Sequence, residues 1–493
     1  LKDVQPMQEV NSGLWGRSFQ ASSFVRPTDT FDLTGTRSSS GFLGGDHALK
    51  FGARYRTDQA VTLNHRGGNV EARFRSPGNN FTTASEANMY RDQYTDYSLA
   101  STSFYLQDTF TKNKFTIMAG LRYDRQWDKA NASSVPAHPF FGKATLTGAI
   151  FNHLPAIAFP GADPGVTFSD LAPRLGINWD MNGDGKNVFK INLARYVNQL
   201  GSGGLAGTLN PIGASFIRFP WTDLNGDKFV TANEINISGT PLSFGGNYNP
   251  ATPSALTSSG KVDPNLTEAK TNEIILAFDK QIGNSFAFGI SGIYRKYNNF
   301  RWNDRLNWTD ANYVPVSFTP APSTCPAAQN AQCETITYYQ PTTPTPAPYL
   351  LTVQPGFNRE YKGLELTMRK RASNGLTISG SLTLQDTPEF YPQGSYEDPT
   401  NIENLDGAQY APLSGGSGID NIYTNATWLA RVTAAYVVPW QQIGLSIFWN
   451  GRSGYATPYG IQTPSRANGA GVATVFLNPL GEDRLPTYQN LDF

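Results

Sequence analysis

The stretch HALKFGARYR, His47 to Arg56, alternates Leu49, Phe51, Ala53 and Tyr55 with Lys50, Gly52, Arg54 and Arg56. Side chains on a strand point to opposite faces with a period of two. The stretch therefore reads as a strand with one apolar and one cationic face. In a soluble sandwich the apolar face would meet a second sheet and the polar face would meet water. In a transmembrane barrel the apolar face meets lipid and the polar face meets a wet lumen.

The same pattern recurs in pairs along the chain. Phe115, Ile117, Ala119, Leu121 and Tyr123 alternate with Thr116, Met118, Gly120, Arg122 and Asp124, and only TKNK separates them from the run ending at Phe110. Leu175, Ile177 and Trp179 turn at MNGDGKN into Phe189, Ile191 and Leu193. Ile274, Leu276 and Phe278 turn at KQIGNS into Phe286, Phe288 and Ile290. Leu364, Leu366 and Met368 pass RASNG into Leu376, Ile378, Leu382 and Leu384, and Val432 to Val438 leads to Leu445, Ile447 and Trp449. Turns within a pair are short. Segments between pairs are long and rich in Gly, Pro, Asn, Ser and Thr, as in PTTPTPAPY at 341–349. Compact soluble domains rarely hold several such loops, whereas outer-membrane barrels have short periplasmic turns and long external loops. A string of soluble sandwiches would turn every 8–12 residues or so without that asymmetry. The expected fold is all-β, an antiparallel transmembrane β-barrel of the outer-membrane type. Leu49, Phe51, Ala53 and Tyr55 should face lipid, and Lys50, Arg54 and Arg56 the lumen. Aromatics near strand ends (Tyr55, Tyr123, Trp127, Trp179, Tyr196, Tyr294, Tyr436, Trp440 and Trp449) suit interface girdles.

Composition agrees. The 493 residues carry 39 basic and 39 acidic side chains, which excludes a nucleic-acid footprint. Apolar residues make up only 39%, yet 13% are aromatic, as a sheet protein with long polar loops requires. No run of about 18 apolar residues offers a transmembrane helix, and LKDVQPMQEV at the start has no signal-peptide pattern.

GGDHALKFGARYR, SFYLQDTFTKNKFTIMAGLRYDRQW, LAPRLGINWDMNGDGKNVFKINLARY, EYKGLELTMRKRASNGLTISGSLTLQ and RLPTYQNLDF resemble the barrel of TonB-dependent outer-membrane receptors, most closely the Oar-like branch. The resemblance runs from about Thr34 to Phe493, leaving 1–33 as an entry segment or partial strand. It implies a barrel of about 22 strands with a plugged lumen, set in outer-membrane lipid and energised by a TonB complex acting on the plug. About thirteen strand candidates, fourteen with WGRSFQASSF, are countable here, and no plug or TonB-box-like segment precedes them. The chain thus reads as the barrel portion of a longer protein.

DLNGDKFVTANE is the sharpest local signal. Asp223, Asn225, Asp227, Phe229 (through its carbonyl), Thr231 and Glu234 fall at positions 1, 3, 5, 7, 9 and 12 of an EF-hand-type loop, a spacing of oxygen ligands that can wrap Ca²⁺. Lys228 stands where glycine normally permits the turn. The alternative is a polar hairpin tip in a long external loop between Tyr196 and Thr271 with no core of its own. DMNGDGK, Asp180–Lys186, has Ile191 at position 12 and is explained as a strand-joining turn. Cys325 and Cys333 in STCPAAQNAQCE lack the partners for a zinc site and suggest a small external disulfide loop.

GSGGLAG at 201–207 opens no helix after a buried strand, so dinucleotide binding is not indicated. His47, His65, His138 and His153 are scattered, and no catalytic constellation is visible. Arg54, Arg122, Arg174, Arg295 and Arg369 should line the lumen. The leading function is a TonB-dependent transporter for a scarce or bulky solute. The alternatives are a passive porin or structural barrel, and an outer-membrane enzyme, for which no acid/His or Ser/His cluster is seen.

Overall fold

The structure is a computed structural model describing residues 4–78, 80–142, 152–256, 258–321, 335–372, 375–392, 397–414, 422–438 and 440–493. Thirteen antiparallel strand positions form one continuous sheet in chain order. They are β1 (Ala21–Val25 and Thr28–Ser40, one strand interrupted at Arg26–Pro27), β2 (Asp46–His65), β3 (Gln93–Lys112), β4 (Phe115–Ala130), β5 (Phe168–Asp180) and β6 (Asn187–Val197). Then come β7 (Lys270–Ile282), β8 (Phe286–Asn298), β9 (Asn358–Arg371), β10 (Leu376–Asp386), β11 (Trp428–Val438), β12 (Ile443–Arg452) and β13 (Tyr488–Asp492). The sheet begins at Ala21, inside the 1–33 segment read as a barrel entry or partial strand. Among the described residues no helix is long and apolar enough to cross a membrane, so crossing falls to strands.

Register sorts the faces. Ala53 pairs with Phe104, Phe104 with Tyr123, and Tyr123 with Leu171, a row in which Phe104 and Leu171 are more than half exposed. Gly52, Tyr105, Arg122 and Ala172 make the alternating row on the opposite face. Exposed apolar side chains on every crossing strand describe a surface made for lipid.

The external segments depart from the structureless loops expected of them. β2 and β3 each run 20 residues, well beyond the roughly 10 that span a bilayer, and rise into a cap. Met7–Glu9, Val70–Phe74, Ala84–Tyr90, Phe216–Pro220 and Ser243–Gly245 form a five-stranded sheet there. Phe74, Met89, Leu154, Ile217, Phe219, Trp221 and Val230 pack beneath it, all at 2% exposure or less. The segment between Tyr196 and Thr271 therefore shares a hydrophobic core, correcting the expectation that it has none. Separated stretches meet because each supplies alternating apolar residues too few to bury alone.

Candidate functional site

The inward face of β2 to β6 encloses a chamber of about 840 Å³. Its wall carries Lys50, Arg54, Arg56, Arg122 and Arg174 with Asp58 and Asp124. Acids stand beside most of these cations: Asp32, across the strand pair, lies 2.6 Å from Arg54, while Asp58 and Asp124, two residues along the same strand face, lie 2.8 Å from Arg56 and 2.7 Å from Arg122. Such solvent-exposed pairs add little to stability. Their effect is to fix guanidinium positions on a wet wall. Further round the sheet Arg295 pairs with Glu273, and Arg369 shares a face with Thr367, two residues before it. The lumen expectation for Arg54, Arg122 and Arg174 is thus met.

Tyr196 belongs inside as well, not in a lipid girdle. Its hydroxyl donates to Glu273 (3.3 Å), and the Arg174 guanidinium lies 5.2 Å from its ring centre. A strand-end aromatic reads as a girdle residue only if its parity matches the apolar face, and Tyr196 alternates with Leu193 and Arg195, which take the other face.

The chamber is roofed at its external end by the chain leaving β6. Gln126 on the inward face of β4 clasps this segment twice: its amide donates to the Asn198 carbonyl (3.1 Å) and accepts from the Leu200 N–H (2.9 Å). One step further along, the buried Asp128 carboxylate accepts from the N–H groups of Leu205 (3.1 Å) and Ala206 (3.3 Å). Arg301 adds an ion pair to the fully buried Glu268 at 2.9 Å and a bond to the Gly204 carbonyl. Gly203 has φ +76°, and a Cβ there would stand 2.8 Å from the Tyr97 ring, so glycine is required for this approach. GSGGLAG is thus a close-packed roof segment. Its glycines were visible in the sequence, but their partners on β3 and β4 lie too far away in the chain to be read. Leu99, Phe168, Leu200, Leu205, Leu266 and Leu351 make the roof apolar above the charged wall.

A family model described as an outer membrane beta barrel domain matches residues 4–418. The chain belongs to this outer-membrane barrel family. No protein of curated function matches its sequence. Among solved structures, the outer membrane transporter YddB from Escherichia coli is 11% identical with a TM-score of 0.46, over 95% of this chain and 47% of its own. The siderophore receptor PiuA from Acinetobacter baumannii is 12% identical with a TM-score of 0.41, over 95% and 49%. The FrpB iron transporter from Neisseria meningitidis is 11% identical with a TM-score of 0.37, over 94% and 53%. The chain spans about half the length of these proteins.

In the barrel's cap, Asp223 to Glu234 form a self-satisfied turn. Asp223 accepts from the N–H groups of Gly226 (2.9 Å) and Lys228 (3.0 Å), and Asp227 from that of Phe229 (2.8 Å). Asn225 accepts from the Asp227 N–H at 3.0 Å. Lys228 adopts the left-handed φ of +62° that glycine would take. Glu234 accepts from the Leu224 N–H (3.0 Å) and from both the N–H and hydroxyl of Thr231 (2.9 and 2.8 Å), in a capping box. Partial burial alone would raise its carboxyl, but these bonds hold it below the ordinary range. Among the described residues no group of three or more His, Cys, Asp or Glu side chains is placed to hold a metal. Asp180 accepts from the N–H groups of Gly183 and Gly185 in the same arrangement, so one D-x-N-G-D turn serves twice in this chain. Cys325 and Cys333 lie outside the described residues.

Proposed function

We propose that this chain is the barrel of a TonB-dependent transporter or receptor that binds its solute on the external side and admits it through a gated lumen. The observation that carries the reading is the roofed lumen: a charged chamber lies beneath a segment hydrogen-bonded across its mouth by Gln126 and Asp128. A passive porin needs a standing aqueous path, which such a roof opposes. The reading requires a plug and a TonB complex as partners. The Oar-like assignment rests on the quoted motifs alone.

Planar-bilayer recording on the full receptor tests this. No standing conductance is expected for the wild type, and steady channels in the variant lacking 198–209. Steady conductance in the wild type would favour the porin. Uptake that stops when the TonB complex is deleted would complete the assignment.

A further inference from the structure

The outward face of β7 to β10 carries a groove of about 570 Å³. Leu276, Gly292, Leu364 and Leu384 follow one another across four strands in a single row. Three of the four are leucines between 37% and 47% exposed, so the row faces lipid. Gly292 is the gap: a Cβ there would meet nothing within 4 Å. Ile274 and Tyr294 wall the slot on its external side. The groove's polar lining (Lys362, Gln385, Asp386 and Thr427) lies on its external side, and the leucine row around Gly292 suits a methylene chain.

The external end of the slot is not apolar. The next row outward contains Tyr294 and Lys362, and the row beyond it Asn272, Lys296 and Glu360. Glu360 gathers these groups. It accepts from the Tyr294 hydroxyl (3.0 Å) and lies 3.3 Å from the Lys362 ammonium and 3.9 Å from that of Lys296. Both lysines remain substantially exposed, at 52% and 40%. Arg195, opposite Asn272 on β6, donates to its side-chain oxygen at 2.9 Å and extends the row. One carboxylate thus positions two lysines, with an arginine beside them, at the level where the apolar band ends. Asp386, opposite Lys362, is the other acid at this level, and it accepts from Gln409.

We infer that this face binds one phosphorylated lipid of the outer leaflet, with an acyl chain in the Gly292 slot and a phosphate on Lys296 and Lys362. The side of the membrane selects the lipid. The basic cluster lies toward the long external loops, and the outer leaflet of this membrane is built on lipid A, a phosphorylated and multiply acylated disaccharide. Cations at a membrane surface draw anionic headgroups, and Glu360 preorganises them by holding the ammonium groups together. The site is independent of what passes through the lumen.

Native mass spectrometry of the full receptor in detergent, titrated separately with lipid A, phosphatidylglycerol and phosphatidylcholine, tests the assignment. One lipid A should be retained in preference to either phospholipid. Replacing both lysines, Lys296→Gln with Lys362→Gln, should weaken retention roughly tenfold or more. Gly292→Leu should weaken it with the lysines intact. Both sets of changes lie on the lipid-facing surface, so the fold is not at issue. Equal retention of lipid A by the wild type and the double lysine variant would overturn the site. Equal retention of phosphatidylglycerol and lipid A would overturn the choice of lipid.

Discussion

Single residues at the two D-x-N-G-D turns make a controlled comparison. Asp223 and Asp180 accept the same pair of backbone N–H groups, but only the first turn is followed by an acid at position 12, Glu234. The proposal of a calcium clip at Asp223, Asn225, Asp227, Phe229, Thr231 and Glu234 therefore depends on Glu234 exchanging its bonds to Thr231 and Leu224 for an ion. Calorimetry at millimolar Ca²⁺, the weak end of the range for such loops, should give binding heat that Glu234→Gln abolishes and Asp180→Asn leaves unchanged. Absence of heat in the wild type would leave the segment as a self-capped turn. Lys228→Gly should help either way, because it removes a left-handed non-glycine residue worth about 1 kcal/mol. Sequence spacing showed the donors; it could not show that backbone N–H groups already occupy them.

At the level of the element, what was legible follows from range. Barrel strands pair with neighbours across short turns, so a period of two fixes both strand and face. Phe115, Ile117 and Leu121 share the face of Phe104, and Arg122 and Asp124 the chamber, as their parity requires. A single-cysteine scan of β4 should therefore label Leu121→Cys with a lipophilic reagent and Arg122→Cys with a polar one. Reversed reactivity would mean a one-residue register slip, which exchanges every face. The cap strands escaped such reading for the opposite reason. They are short, and their partners are remote: Met7 lies parallel to Ala72, and Ile217 opposite Met89. Too few alternations fall in any one window to show a period.

The whole molecule joins a membrane-spanning sheet to a cap with a core of its own, and the cap should respond to acid through His138. This side chain is 1% exposed, between Phe140 and Phe141. Its Nδ1 accepts from the Phe140 N–H at 3.1 Å, which leaves Nε2 to donate to the Asn69 carbonyl at 2.9 Å. That is the neutral ring with both nitrogens satisfied. A second proton on Nδ1 would set a donor against a donor inside the core. Burial pushes the imidazole down from 6.5 to about 4, although the Asn69 carbonyl and the Asp92 carboxylate favour the charged form. In the unfolded chain the same ring takes up its proton near 6.5. As pH falls from that value toward 4 the unfolded cap gains protons that the folded cap refuses, and the cap loses up to roughly 3 kcal/mol. Glu9 works lower down. Its bonds from Ser12 and Ser76 hold it near 2 against an ordinary 4.5, so its contribution is intact above about pH 5. Limited proteolysis of the full receptor between about pH 7 and 5 should therefore show cap cleavage accelerating as pH falls. His138→Gln should flatten that dependence, since an amide can still donate to Asn69 but cannot titrate. Equal acceleration in both proteins would remove His138 as the cause.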